Sequence, residues 1–235
     1  MAERDQVGDV YRTLVDALGT AIVSGRLPEG HVLTLDDVGA EHAVSRSVTR
    51  EAVRVLESLG MVTSRRRVGI TVQSADRWRL FDPMIIRWRL DAGDRSAQLT
   101  SLAELRRGIE PAAAALAARR ADPGQCRILA AAVSDMVVHG HSGDLRAYLC
   151  ADQVFHRTLL EASGNEMFRA LNEVVAEVLN AGNTRQDTPE QPDPAVIELH
   201  DQVARAIRFR DETAAEQAMR SIIDRHATGV TGAGP

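Results

Sequence analysis

From residue 96 to residue 228 the chain shows a single periodicity, apolar residues at helical spacing, and no run that alternates as a strand would. Such a stretch can bury its apolar stripes only by packing helix on helix. Helix stops divide it near 96–120, 123–139, 143–162, 166–183, 195–209 and 211–228. Asp122-Pro123 reads as an N-cap followed by proline at the first helical position. Ser163-Gly164-Asn165 supplies a C-terminal glycine and then a fresh N-cap. Pro189, Pro192 and Pro194 make 184–194 a loop, and Pro111, which cannot bond back to the carbonyl of Arg107, is expected to kink its helix. With a short helix suggested by Met84, Ile85, Trp88 and Leu90, residues 84–230 form an antiparallel all-α bundle of six to seven helices.

Composition agrees with a mostly α chain, because aromatics are only 3% of the 235 residues while alanine is abundant. No apolar run approaches the roughly 20 residues that span a bilayer. Met1-Ala2-Glu3-Arg4-Asp5 lacks the apolar core of a secretion signal, and Cys126 and Cys150 have neither metal nor redox spacing. A reducing cytoplasm, with no membrane partner, is the location these features predict.

The first 75 residues follow a different plan. Val10, Leu14, Leu18 and Ile22 give a first helix, which Ser24-Gly25-Arg26-Leu27-Pro28-Glu29-Gly30 stops. Residues 35–42 fit a short second helix. Ala43-Val44-Ser45 makes a tight connection, and Ser45 can cap a third helix running to about Leu59. Val48, Ala52, Val55, Leu56 and Leu59 form the expected apolar stripe of that third helix. Arg46, Arg50 and Arg54 stand four apart on its exposed face. Beyond Gly60, residues 61–64 and 69–73 read as two strands around Arg65-Arg66-Arg67. A helix-turn-helix followed by a hairpin is a winged helix-turn-helix, whose second helix offers its N-terminal residues to base edges in the major groove. Residues 76–83 read as a linker.

The net charge of −5 conceals a division. Residues 44–79 hold eight arginines against Glu51, Glu57 and Asp76, a balance of +5, whereas residues 81–235 hold 17 arginines against 22 acids. A basic module is thus joined to an acidic body. Three like charges at a hairpin tip oppose folding unless an anion lies nearby, which a phosphate backbone supplies. An arginine row alone is more often a solvated helix face; the turn, the stripe and the wing together make duplex DNA the expected partner.

In the helical body, Asp152 and His156 are four apart and project from one face, while His200 and His226 fall on later helices. One carboxylate and three imidazoles suit a borderline divalent ion such as Zn²⁺, with Ni²⁺ and Mn²⁺ as alternatives. Spacing by itself is weak evidence, since a helical histidine is commonly a satisfied core or surface group, as His31, His42, His139 and His141 are read here. Three histidines and an aspartate could also activate water, but no general base is spaced for that role, so an enzyme is not expected.

The segments Ile22-Val23-Ser24-Gly25-Arg26-Leu27-Pro28-Glu29-Gly30 and Val44-Ser45-Arg46-Ser47-Val48-Thr49-Arg50-Glu51-Ala52-Val53-Arg54 resemble the GntR family of transcription regulators over residues 10–73. That resemblance implies a homodimer on a palindromic operator, with Arg46 and Arg50 as DNA contacts, Ser47 and Thr49 beside them, and a wing around Arg67-Val68-Gly69 in the minor groove. Many members carry an arginine on the second helix where this chain has Asp36, and an acid cannot contact phosphate. Residues 84–228, through Glu104-Leu105-Arg106-Arg107-Gly108-Ile109-Glu110-Pro111, Asp152-Gln153-Val154-Phe155-His156, Glu198-Leu199-His200 and His226, resemble the effector domain (FCD) of the FadR-like branch. In its metal-containing members an aspartate and three histidines hold the ion, and these match Asp152, His156, His200 and His226. The resemblance also implies that Arg106 binds a carboxylate effector; the competing reading pairs it with Glu110 at i,i+4. The segment Phe81-Asp82-Pro83…Trp88-Arg89-Leu90 loosely resembles regulators of sugar-acid operons such as galactonate and gluconate repressors, which makes a sugar acid the expected ligand and release of repression its expected effect.

Overall fold

The computed structural model describes residues 2–182 and 192–231, with side chains placed for 10–180 and 192–225. The expected loop at 184–194 lies largely outside the described residues. The chain divides into two compact units, residues 1–95 and 96–235.

In the first unit, helix α1 (Ala2–Val23) packs on α3 (Arg46–Ser58), which also meets α2 (Leu35–Glu41). Thr34 caps α2 and Ser45 caps α3, each hydroxyl accepting a backbone N–H of the first turn. Between the two helices the chain turns through Ala43, held at φ 53°. Strand β2 (Val62–Arg65) pairs antiparallel with β3 (Gly69–Val72), and the arginine turn between them includes Arg67 at φ 66°. A third strand escaped the sequence reading: β1 (Val32–Leu33) pairs with the other side of β3, Val32 opposite Thr71. A two-residue strand is too short to show alternation. Leu14, Leu18, Ala52, Leu56, Met61 and Ile70 close the core beneath this sheet.

Helix α4 (Pro83–Ala92) differs from expectation. The sequence places residues 84–92 with the helical domain, yet Ile85 and Trp88 join the first unit's core, and the Trp88 indole N–H donates to Asp16 on α1 at 2.9 Å. A buried indole must satisfy its N–H, and Asp16 provides the acceptor.

The second unit is helical throughout its described residues: α5 (Arg95–Arg120), α6 (Pro123–Ser142), α7 (Leu145–Ala162), α8 (Glu166–Arg169), α9 (Asn172–Gly182), α10 (Pro194–Arg208) and α11 (Glu212–Thr231). Asp122 and Gln125 complete a reciprocal cap at the start of α6, with Pro123 in the first turn. The helix expected over 166–183 is broken at Ala170-Leu171 into α8 and α9. Helix α5 continues through Pro111 as one helix. Its Ala113, Ala114, Ala117 and Ala118 are fully buried, so α5 approaches its neighbours closely, among core residues Phe155, Leu159, Ile207, Met219 and Ile222.

Gly60 joins α3 to β2 at φ 76°, and an added Cβ would collide with the carbonyl oxygen of Arg77. Gly60→Ala is therefore expected to destabilise the first unit by about 3 kcal/mol, the upper range for a strained backbone. Trp78 and Trp88 both belong to this unit's core, so tryptophan fluorescence in a denaturant titration reads it directly. An unchanged midpoint would refute the assignment.

Candidate metal centre and nucleic-acid interface

The basic module presents Arg46, Ser47, Arg50 and Arg54 as exposed side chains on one end and face of α3, with Arg65, Arg66 and Arg67 exposed on the hairpin. The Ser47 hydroxyl shares a hydrogen bond with the capping Ser45 at 2.9 Å, and Arg54 pairs with Glu51 at 2.6 Å. Thr49 corrects the sequence reading. It is completely buried, its hydroxyl donating to the Ser45 carbonyl at 3.2 Å, and so it cannot touch DNA. A threonine bonded to the i−4 carbonyl has already satisfied its polar group and can pack inward. The stripe correspondingly shifts: Ala52, Val53 and Leu56 are buried, while Val48 and Val55 are half-buried. Gly69 serves the sheet first, since at φ 111° its missing Cβ leaves room for the Leu33 carbonyl, 2.7 Å from where that atom would lie. Asp36 reaches Arg46 Nε at 3.6 Å, with both side chains well over half exposed. A pair so open to water is worth ~1 kcal/mol or less.

In the helical unit, α5, α7 and α10 bring five polar side chains together in the core. Arg106 and Glu110 come from α5, Asp152 and His156 from α7, and His200 from α10; none is more than 4% exposed. Each pair on one helix lies four residues apart, hence on the same inward face. His200 turns Nδ1 to the Val196 carbonyl at 2.8 Å, which leaves Nε2 aimed inward. His156 turns Nδ1 to Glu110 Oε2 at 2.7 Å, an ion-pair contact not aligned as a linear hydrogen bond. Both Nε2 atoms then face Asp152 Oδ1, which has no hydrogen-bond partner of its own.

The three inward atoms form a nearly equilateral triangle. Asp152 Oδ1 lies 3.2 Å from His200 Nε2 and 3.5 Å from His156 Nε2, and the two Nε2 atoms are 3.4 Å apart. Ligand bonds of ~2.0–2.1 Å around a tetrahedral ion separate neighbouring ligand atoms by roughly 3.3 Å. A buried carboxylate oxygen with two imidazole Nε2 atoms at that spacing fits a divalent ion, whose binding would displace the Nε2 proton of His156. Three of the four expected ligands are brought together. Residue 226 lies on α11, but the side chain of His226 is outside the described residues.

Arg106 is engaged with Glu110. Its Nε donates to Oε1 at 2.5 Å and Nη2 to Oε2 at 3.2 Å, and Nη2 also lies 3.4 Å from His156 Nε2. The i,i+4 pairing therefore exists, and a further carboxylate could meet only the other edge of the guanidinium. Glu110 itself went unrecognised as a site residue in the sequence, where only its spacing from Arg106 was a signal.

Burial acts against every charge here, and the partners overcome it. Glu110 is held at about 2 by Arg106 and His156. Asp152 is held well below the usual carboxylate range by the two histidines. His156 is raised to about 9 by Glu110 and Asp152. An arginine donor near Nε2 favours neutral His156, while the carboxylates favour imidazolium; the closer Glu110 contact, at 2.7 Å against 3.4 Å, decides for the cation when no metal is bound.

Two family descriptions match the chain: "FCD domain" over residues 101–225 and "Bacterial regulatory proteins, gntR family" over residues 10–72. The chain is a GntR-family regulator with an FCD domain. It is 27% identical over 212 residues to the galactonate operon transcriptional repressor of Escherichia coli, covering 89% of this chain and 92% of that one. To the probable D-xylose utilization operon transcriptional repressor of Paenarthrobacter nicotinovorans it is 26% identical, covering 87% and 81%. Among solved structures it is similar to a Streptococcus agalactiae GntR, with TM-score 0.51, 26% identity and coverage of 91% and 97%. E. coli McbR/YncC, at 16% identity and TM-score 0.55, shares the fold over 95% of this chain and 97% of its own. The matched families and relatives are regulators, not enzymes, in keeping with the sequence reading. No described helix of this GntR regulator is long and apolar enough to cross a membrane.

With divalent ions removed by chelation, the helical unit should lose stability as the pH rises. The elevated His156 favours the folded state fully below its ordinary 6.5, and that contribution is lost as the pH climbs through about 9. The depressed Glu110 contributes above its ordinary 4.5 and is lost only on acidification toward about 2. Circular-dichroism melting between pH 6.5 and 9 should show the decline, and a His156→Ala variant should lack that part of the slope. Stability rising across this window would contradict the assignment.

Proposed function

We propose that this GntR regulator is a cytoplasmic transcription repressor that binds a palindromic operator as a homodimer and is released by a small carboxylate, such as a sugar acid, at a divalent metal in its FCD domain. The observation that carries the sensing half is Asp152 Oδ1, buried without an aligned hydrogen bond and within reach of two imidazole Nε2 atoms. In this reading residues 1–75 read DNA and the helical residues to 230 sense the ligand. Arg46 and Arg50, with Ser47, present themselves to the major groove. Arg54 and Arg65 neutralise phosphate, and Arg67 enters the minor groove. Asp152, His156 and His200, joined by His226, hold the ion, for which the tetrahedral spacing favours zinc over nickel or manganese. Bound there, the ion supplies a positive seat for carboxylate and hydroxyl oxygens. Arg106 binds the effector's carboxylate through the guanidinium edge that Glu110 leaves open. The effector then favours the dimer state that fits the operator poorly. A galactonate and a xylose operon repressor among the relatives supports both repression and a sugar-derived ligand.

The test uses duplexes selected by the purified zinc-loaded protein from a randomised pool. The expected result is enrichment of a palindrome, and its release in gel-shift titrations with galactonate, gluconate or xylonate. No enrichment, or no response to any such acid, would count against the proposal. On the selected duplex, Arg46→Ala and Arg50→Ala should each weaken binding by about 1–3 kcal/mol, and Arg65→Ala should lower the salt slope by about one. Equal binding by all three variants would overturn the interface.

The engagement of Arg106 by Glu110 favours one other reading, an ion that is purely structural. Chelation would then lower the melting temperature, while no sugar acid shifts it.

A further inference from the structure

We propose that Glu110 is a positioning residue for the metal centre: clamped by Arg106, its carboxylate orients the His156 imidazole so that Nε2 faces the ion. The inference rests on the metal reading above and extends it from the ligands to what holds them. Glu110 is completely buried and is not one of the three groups whose ligand atoms converge. Both its oxygens are committed, Oε1 to Arg106 Nε and Oε2 to Arg106 Nη2 and His156 Nδ1.

A histidine ring has two nitrogens, and only the one without a proton can ligate. An acceptor at Nδ1 keeps the proton there and leaves the Nε2 lone pair for the ion, while fixing the ring plane and raising its basicity. At His200 a backbone carbonyl performs this role, the Val196 oxygen one turn earlier on the same helix. His156 also sits inside a helix, but its Nδ1 faces a side chain from a different helix. That carboxylate lies 2.7 Å from Nδ1, out of line with its N–H, and being charged and on a movable side chain it can swing into line when the ion is held. Arg106 confines that movement: a glutamate has rotatable bonds to spare, and a guanidinium engaging both oxygens restricts them. The order of action is Arg106 on Glu110, Glu110 on His156, His156 on the ion. The spacing Arg-x-x-x-Glu on α5 matches Asp-x-x-x-His on α7, and both α5 residues meet the His156 ring.

The test is zinc affinity of the full chain, measured by competition with a chromophoric chelator, for wild type, Glu110→Gln, His156→Ala and the double variant. Glutamine keeps the size and loses the charge. Loss of an outer-shell partner costs about 10–100-fold in metal affinity, the drop expected for Glu110→Gln. Because Glu110 acts through His156, the same substitution in the His156→Ala background should change affinity by no more than about twofold. A residue that merely supported the fold would lower affinity equally in both backgrounds, and that result would overturn the proposal. So would wild-type affinity in Glu110→Gln. If Glu110→Gln fails to fold because Arg106 is left with an uncompensated charge, Glu110→Asp, which keeps the charge but withdraws it from Nδ1, takes its place, and the same 10–100-fold fall is expected, wild-type affinity being contrary. If the wild-type chain takes up no zinc, the metal reading fails and this inference with it. Zinc uptake unaffected by Glu110→Gln rejects the inference alone.

Discussion

Two carboxylates, Asp152 and Glu110, are buried in the middle of an apolar helical unit, and the rest of that unit is arranged to keep them charged. An isolated carboxylate so placed would cost several kcal/mol in lost hydration. Here α5 supplies Arg106, α7 supplies His156 and α10 supplies His200, so three helices must hold their register for the charges to meet. The fully buried alanines of α5 make the close approach possible, and Phe155 packs edge-on against the His200 ring, 4.8 Å between centroids. Packing and electrostatics therefore specify the same arrangement. Glu110 is satisfied by its partners and Asp152 is not. That asymmetry is what the proposed ion would relieve.

The DNA-reading unit is built on the opposite economy: its charges are exposed and unburdened by desolvation. Arg46, Arg50 and the hairpin arginines owe their placement to a small apolar core and two capped helices. Asp36 on α2 forms a water-exposed ion pair with Arg46. Instead of meeting phosphate, the carboxylate lies beside the first arginine of α3.

Much of this was legible in the sequence. Hydrophobic spacing marks the helices, Asp122-Pro123 and Ser163-Gly164-Asn165 mark their ends, and the family resemblance singles out Asp152, His156 and His200 together with His226, whose side chain lies outside the described residues. The failures have physical causes. Ala170-Leu171 contains no glycine or proline, so the break between α8 and α9 left no trace. Trp88 found its partner, Asp16, 72 positions away, a pairing that no local pattern encodes. Thr49 looked like a groove-facing polar residue because its satisfaction by the Ser45 carbonyl is invisible in a string of letters. Glu110 was seen as half of an i,i+4 pair, whereas its second contact crosses from α5 to α7.

The most direct test of the account is X-ray absorption at the metal edge of the purified full chain. The prediction is one divalent ion per chain, with nitrogen and oxygen neighbours at ~2.0–2.1 Å and the outer-shell scattering of imidazole rings, which disappears when Asp152 and His200 are both replaced by alanine. An absorption spectrum of a fully hydrated ion, or one that survives that double replacement, would contradict it.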